Sequence, residues 1–203
     1  MPVFSEDSMT IRLIAGLGNP GNEYAHSRHN MGVDVLNMIA DKYGISIRPD
    51  SKYNGEIGRG MIEGQEVRLV FPTTYMNKSG DCIGPLANFF KIKPEEILVI
   101  HDELDIPPGV AKFKLGGGPG GHNGLKSIIA CLGNCQNFHR LRIGIGKPAT
   151  RAEMINFVLG KPPKAEAELI EQAQKAALDS IGVLFTQNIA KATNQLNGFK
   201  AVR

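Results

Sequence analysis

The chain has 203 residues, 42 % hydrophobic and 21 % charged, with a net charge of +3, the make-up of a soluble protein able to bury a core of ordinary size. No apolar run nears the roughly 20 residues of a membrane span, and residues 1–9 hold two acids and no basic stretch, so they do not read as a secretory signal. The three cysteines, Cys82, Cys131 and Cys135, contain no Cys-x-x-Cys pair, which argues against a disulfide scaffold and for a reducing cytoplasm.

Residues 1–9 read as a disordered extension, with Met9 an alternative start, and residues 10–203 as one domain. Ile11-Arg12-Leu13-Ile14-Ala15 has the pattern of a short buried strand. It opens into Gly-Leu-Gly-Asn-Pro-Gly over 16–21, a tight turn that delivers Asn19, Tyr24, His26 and His29 just before a helical pattern. Residues 31–43 form that helix through Val33, Val35, Leu36, Met38, Ile39 and Ala40, with Asn30 as N-cap and Gly44 just past the end. Residues 45–49 read as a short exposed link. Residues 53–63 and 66–71 read as strands of a hairpin turning at Glu63-Gly64-Gln65, the second stopping at Pro72.

The loop 72–77 leads into a helix over 78–91, buried through Ile83, Leu86, Ala87 and Phe90. Ile97-Leu98-Val99-Ile100 is the unbroken apolar run of a central strand and ends in His101-Asp102-Glu103-Leu104-Asp105. Residues 110–115 alternate as a strand with Lys112 and Lys114 on one face. The glycine-rich 116–121 is the most flexible stretch, His122-Asn123-Gly124 closes it, and 125–132 is a helix. Residues 140–145 form a strand, with Leu141, Ile143 and Ile145 on one face and Arg140 and Arg142 on the other. Thr150 caps a helix over 151–159, with Glu153 at its third position. Lys161-Pro162-Pro163 breaks the chain before the longest helix, 165–187, which carries Leu169, Ala173, Ala176, Ile181 and Leu184 inward. The polar last sixteen residues have room for one more short helix. Strands alternating with helices predict a single-domain α/β three-layer sandwich, and the hairpin makes its twisted sheet mixed, mostly parallel, and flanked by helices.

Gly16-x-Gly18-x-x-Gly21 after a strand matches the dinucleotide fingerprint in letters. Pro20 sits where the helix should begin, the helix starts about nine residues later, and no second strand ends in an acid about 20 residues on. Those departures argue against a dinucleotide-dependent oxidoreductase. Asn19, His29, Asn77, Asp102 and Asn123 instead fall in loops after strands or just before helices, ends that converge on one rim of a twisted sheet. Such a set suits hydrolysis without a metal. The His takes a proton from water, the Asp accepts from the other ring nitrogen, and the amides hold a carbonyl and its developing oxyanion.

Each residue alone also has an ordinary reading: His29 at a helix start, Asp102 capping a turn, Asn123 capping the next helix. His26 and His139 read as surface residues and His101 as a packed one, while His122 stays a rival of His29 for the base. No Gly-x-Ser-x-Gly elbow, no cysteine beside a histidine and no metal-ligand spacing occurs, so neither metal nor cofactor is expected. Nine Lys or Arg fall in 112–164 against Glu153 alone, whereas 1–111 carry ten basic and fifteen acidic residues. Either a polyanion lies on the second half, or the charge is a solvated surface.

Gly-Leu-Gly-Asn-Pro-Gly-x-x-Tyr-x-x-x-Arg-His-Asn (16–30), Pro-Thr-Thr-Tyr-Met-Asn-x-Ser-Gly (72–80), His-Asp-Glu-Leu-Asp (101–105) and Gly-Gly-Gly-x-Gly-Gly-His-Asn-Gly-Leu-Lys (116–126) resemble bacterial-type peptidyl-tRNA hydrolases. The resemblance covers the chain from about residue 10 to its last helix. It implies cleavage of the ester between a peptide and tRNA, with His29 as general base and Asp102 as its partner. Asn19 is implied in telling N-blocked from free aminoacyl groups. Tyr24, Tyr75, Asn77 and Asn123 match positions that bind the acyl and 3′-terminal end, and Lys114 and Arg142 match residues that hold the tRNA's terminal phosphates. Gly18 and Tyr75 stand where relatives can have other residues, and neither removes a role. The resemblance further implies a cytoplasmic, monomeric enzyme acting on the acceptor stem and 3′ end of peptidyl-tRNA; the glycine run and the Pro-Pro break are candidate movable walls of its cleft. The competing reading is a non-catalytic RNA-binding domain on the same basic face.

Overall fold

The computed structural model describes residues 10–203; the extension read into 1–9 lies outside them. The strands are β1 (Leu13–Gly16), β2 (Arg48–Asp50), β3 (Gly55–Ile62), β4 (Gln65–Pro72), β5 (Ile97–Glu103), β6 (Ala111–Leu115) and β7 (His139–Gly144). They form one sheet in the order β2-β3-β4-β1-β5-β7-β6. β4, β1, β5 and β7 run parallel in the centre, β3 is antiparallel to both β2 and β4, and β6 is antiparallel to β7. The expected mixed, mostly parallel sheet is therefore present.

Among the described residues six α-helices flank the sheet: α1 (Met31–Tyr43), α2 (Gly80–Phe89), α3 (Asn123–Cys131), α4 (Met154–Leu159), α5 (Lys164–Thr186) and α6 (Ile189–Asn197). One core joins α1, α5 and α6 to Ile14, Leu69, Leu98, Ile100, Leu141 and Ile143. The other joins α2 and α3 to Leu13, Ala15, Val70, Ile97 and Val99. Consecutive strand residues thus feed opposite layers, which is why the central strands read as unbroken apolar runs. No helix among the described residues is long and apolar enough to cross a membrane.

The first loop works through close approach. A Cβ on Gly32 would lie 2.1 Å from the Ile100 carbonyl oxygen, and one on Gly16 would lie 2.6 Å from Leu36 Cβ. These two glycines let α1 rest directly on β1 and β5. The Val33 amide donates to the Leu17 carbonyl at 3.0 Å, so a first-turn N–H of α1 is already engaged by protein. A pyrophosphate needs such amides free, and the dinucleotide reading fails on this geometry.

Some boundaries differ from the sequence reading. The exposed link at 45–49 is partly strand: Arg48–Asp50 pairs with β3, and Ile45 is buried. Tyr53 belongs to the turn before β3, where it packs under α2 rather than extending the strand. β5 runs through Glu103, so Asp102 lies on the strand itself and not in the loop after it. The helix predicted over 151–159 is a one-turn 3-10 stretch, Arg151–Glu153, followed by α4, although the Thr150–Glu153 capping box is present. In α5 the buried apolar residues are Ile170, Ala173, Ala177, Ile181, Leu184 and Phe185; Leu169 and Ala176 are half-buried beside them.

Candidate active site

β1 and β5 end side by side, and the chain leaving each builds one wall of a cleft. After β1 the loop doubles back so that Asn30, expected to cap α1, clasps Asn19 instead. Its Oδ1 accepts from the Asn19 amide at 2.8 Å and its Nδ2 donates to the Asn19 carbonyl at 2.9 Å. Asn30 sits at the N-cap position but makes no side-chain capping bond. Buried Asn19 in turn accepts from the Met76 amide at 2.8 Å through its own Oδ1. The first loop and the 72–79 loop are thereby locked together, with Asn19 at their junction; it does not line the pocket around His29 and Asp102.

Arg28, to which the sequence reading gave no role of its own, holds the opposite wall. Its amide donates to the Gly160 carbonyl at 3.0 Å, its guanidinium donates to the Phe157 carbonyl at 3.0 Å, and its Cζ lies 4.0 Å above the Phe157 ring. This fixes α4 beside His29. The resulting pocket, about 110 Å³, is lined by His29, Asp102, Glu103, His122, Asn123 and the glycines 120–121, with Met154, Ile155 and Val158 as an apolar flank. Larger hollows lie elsewhere on the surface, between α1 and α5 and between α2 and α3, but neither reaches these titratable groups.

At the floor, one carboxylate serves two imidazoles. His29 Nδ1 lies 3.0 and 2.9 Å from the two oxygens of Asp102, and His122 Nε2 lies 2.9 Å from Oδ1. The protons can be placed. His122 Nδ1 accepts from the amides of Gly124 and Leu125 at 3.1 and 3.3 Å, capping α3, so the His122 proton is on Nε2 and points at Asp102. His29 donates through Nδ1, which leaves the lone pair of its Nε2 free. The ligand atoms of this trio lie within 4.8 Å of one another, near enough to share an ion. A metal on His122 Nε2 would have to displace that proton while Nδ1 keeps accepting two N–H groups, so the trio fits hydrogen bonding better than ligation.

Burial on its own would lower the pKa of His29. The charge of Asp102 and the hydrogen bond to it outweigh that, and the net shift is upward from the usual 6.5. Burial would raise the Asp102 carboxyl, but the two imidazoles and their hydrogen bonds hold it far below the usual carboxylate range. His101, expected to pack, is buried; its Nδ1–H donates to the Asp102 backbone carbonyl at 2.8 Å, and its ring meets that of His122 at 5.1 Å. Burial, aided by His122, pushes it down to about 3, so it stays neutral. His139, expected on the surface, is buried instead: β7 begins one residue earlier than predicted, and His139 sits beside Phe113 of β6 and Ile189 of α6. His26 is exposed as expected and lies 3.3 Å from Asp34.

The remaining predicted residues are less gathered. Asn123 is the first residue of α3 and lines the pocket, but the cap there is His122. Tyr24 is half-buried, Asn77 is exposed and Tyr75 is 61 % exposed; none of the three lines the pocket. Lys114 is exposed on β6, and Arg142 on β7 lies 3.9 Å from Glu103. Arg140, counted above with the cations of a basic face, is only 2 % exposed. Its guanidinium points inward and donates to the carbonyls of Gly117, Gly118 and Gln136. Arginine with its fork of donors suits such a knot of carbonyls, and the glycine stretch leading to His122 is pinned at that end. Sequence alternation put Arg140 beside Arg142 and had no means of telling that one turns into the glycine loop and the other towards Glu103.

The profile of the peptidyl-tRNA hydrolase family matches residues 13–203. The chain is 57 % identical over 191 residues to a peptidyl-tRNA hydrolase of Shewanella putrefaciens, covering 94 % of this chain and 98 % of that protein. It is equally similar to one of Tolumonas auensis, with 97 % of that protein covered. Among solved structures, that of peptidyl-tRNA hydrolase from Acinetobacter baumannii superimposes with a TM-score of 0.92 at 49 % identity, covering 95 % of this chain and 97 % of that one. Those matches run through the whole described domain, cleft included, and on them the chain belongs to the peptidyl-tRNA hydrolase family.

Proposed function

We propose that His29 is the general base of this peptidyl-tRNA hydrolase and that Asp102 and His122 position it. Water held at the pocket loses a proton to His29 Nε2 as its oxygen attacks the ester carbonyl. The imidazolium formed is stabilised by Asp102, which accepts from Nδ1 throughout. The tetrahedral oxyanion is met by amide donors, Asn123 in the pocket lining and Asn19 and Asn77 on the two loops that Asn19 ties together. Collapse breaks the bond to the ribose oxygen, His29 returns its proton to that oxygen, and the peptide acid and tRNA leave. A ribose hydroxyl is a good enough leaving group that no metal is needed.

The observation that carries this reading is the proton placement: His122 has both ring nitrogens engaged, and His29 has one free. Tyr24 and Tyr75 flank the acyl and 3′-terminal end, Asn19 distinguishes blocked from free amino groups, and Lys114 and Arg142 hold phosphates of the acceptor stem without reading sequence. The enzyme works as a cytoplasmic monomer that returns tRNA from stalled translation. The test is release of an N-acetylated amino acid from its tRNA. His29→Ala abolishes turnover while tRNA binding persists, and His122→Asn retains measurable turnover; a near-normal rate in His29→Ala removes His29 as the base.

A further inference from the structure

We propose that a strip of aromatic and basic side chains on the α2 face, running from the turn before β3 to the end of α2, is a second RNA-binding surface. It lies in the half of the chain whose composition is acidic. Lys52 Nζ sits 4.2 Å above the ring of Phe89, Phe89 meets Phe90 edge-on at 4.9 Å, and Arg68 Cζ stacks 3.7 Å above Phe90. Arg59 is paired with Arg68 across β3 and β4, and Arg12 donates to the Phe90 and Lys91 carbonyls at the end of α2.

The acids beside this group are Glu66, 3.9 Å from both Arg59 and Arg68, Glu96, 3.7 Å from Arg12, and Asp50, whose carboxylate accepts from the Lys52 amide at 3.0 Å. Four cations, Arg12, Lys52, Arg59 and Arg68, thus stand beside three carboxylates, none closer than 3.7 Å to a guanidinium. The crowding is felt at Arg68, which is lowered by burial and by Arg59 and Arg12 against the pull of Glu66. Phe89 is 59 % exposed in the middle of the strip. A large ring held open to solvent between cations has the make-up of a base-stacking platform with phosphate partners on either side.

The Arg68–Phe90 end of the strip is separate from the ester site. Arg68 and Ile97 are both in register with Leu13, and Asp102 lies five residues further along β5, about 17 Å by strand rise. Lys114 is on the opposite edge strand. A tRNA end seated in the cleft and an RNA segment on the strip can therefore be bound together, as an enzyme meeting its substrate on or near other RNA requires.

The probe is a labelled single-stranded oligouridylate, followed by anisotropy across salt concentrations. In a Lys114→Ala, Arg142→Ala background, binding persists. Adding Lys52→Glu and Arg59→Glu lowers affinity and reduces the salt slope by about 1.4, at roughly 0.7 per cation on a single strand. Phe89→Ala alone weakens binding roughly tenfold, a readout that does not depend on the charge-reversed protein folding well. Release of an N-acetylated amino acid from a short 3′-terminal fragment stays within about twofold in Lys52→Glu, Arg59→Glu on the native background. Unchanged oligouridylate affinity and slope on removing Lys52 and Arg59 overturn the proposal, and equal competition by polyglutamate overturns the assignment to RNA. Neither result bears on His29, whose role is read from ester release alone.

Discussion

Gly32→Ala tests how the fold holds the base. The added Cβ falls 2.1 Å from the Ile100 carbonyl oxygen, 2.8 Å from its carbon and 3.0 Å from the Leu17 amide nitrogen, backbone atoms of β5 and of the residue just after β1. An ordinary carbon–oxygen contact is about 3.3 Å, so the start of α1 must retreat by about 1 Å. His29 lies three residues before Gly32, in the one-turn Arg28–Asn30 stretch, and Asp102 lies two residues after Ile100. The retreat therefore opens the 2.9–3.0 Å pairing between them towards about 4 Å, beyond hydrogen-bond reach.

Overpacking of this kind costs about 1–3 kcal/mol, which in a domain of this size lowers Tm by roughly 2–10 °C. A misplacement of about 1 Å at the base lowers the rate about 100-fold. Thermal unfolding together with steady-state release of an N-acetylated amino acid reads both effects. Gly182→Ala on α5 is the control, since its Cβ meets only Tyr43 Oη at 3.4 Å; it should leave the rate alone and raise stability by up to about 1 kcal/mol. A Gly32→Ala protein with unchanged Tm and a rate within twofold would refute the claim that this contact sets the His29–Asp102 distance. A fall in Tm with the rate intact would show that α1 yields away from His29.

Asp102→Asn removes both influences that raise His29, its charge and its acceptor. A base works unprotonated, so activity falls as pH drops through the His29 pKa, and in the native enzyme that limb lies above 6.5. In the variant the limb should move to lower pH while the plateau rate drops about 10²- to 10⁴-fold; an unmoved limb counts against the pairing. Lys114→Ala with Arg142→Ala should raise KM with little effect on kcat and flatten the salt dependence of binding by about 1.5 in slope, and an unaltered slope places the phosphates elsewhere. His101 is depressed to about 3 when folded, so the folded state refuses a proton that the unfolded chain accepts below 6.5. Its stability contribution is lost as pH falls from 6.5 towards 3, at about 1.4 kcal/mol per unit. His29, shifted upward, works in the opposite sense and is fully favourable below 6.5. Urea unfolding of His101→Leu should therefore show a loss between pH 6.5 and 4.5 that is about 2–3 kcal/mol smaller than in the native chain; an equal loss would mean that His101 is not the acid-sensitive group.

The chain alone determined much of this protein. The apolar runs, the helical periods, the turn at Glu63-Gly64 and the capping box at Thr150 are local signals of burial and backbone conformation, and the structure places them where they were read. The four loop motifs were enough to indicate the family. What the tertiary structure alone decided is which polar group faces which. His29 and Asp102 are 73 residues apart, and Asp102 and His122 are 20 apart. Only their convergence shows that one carboxylate serves both rings and that His122, engaged at both nitrogens, leaves the free lone pair to His29. Arg140 and Arg142 alternate onto the same face of one strand, yet one guanidinium is folded into the carbonyls of a distant glycine loop and the other lies beside Glu103, which lines the pocket. Periodicity encodes which face of an element is buried; the partner of a polar atom depends on backbone brought in from elsewhere, and no local pattern carries that.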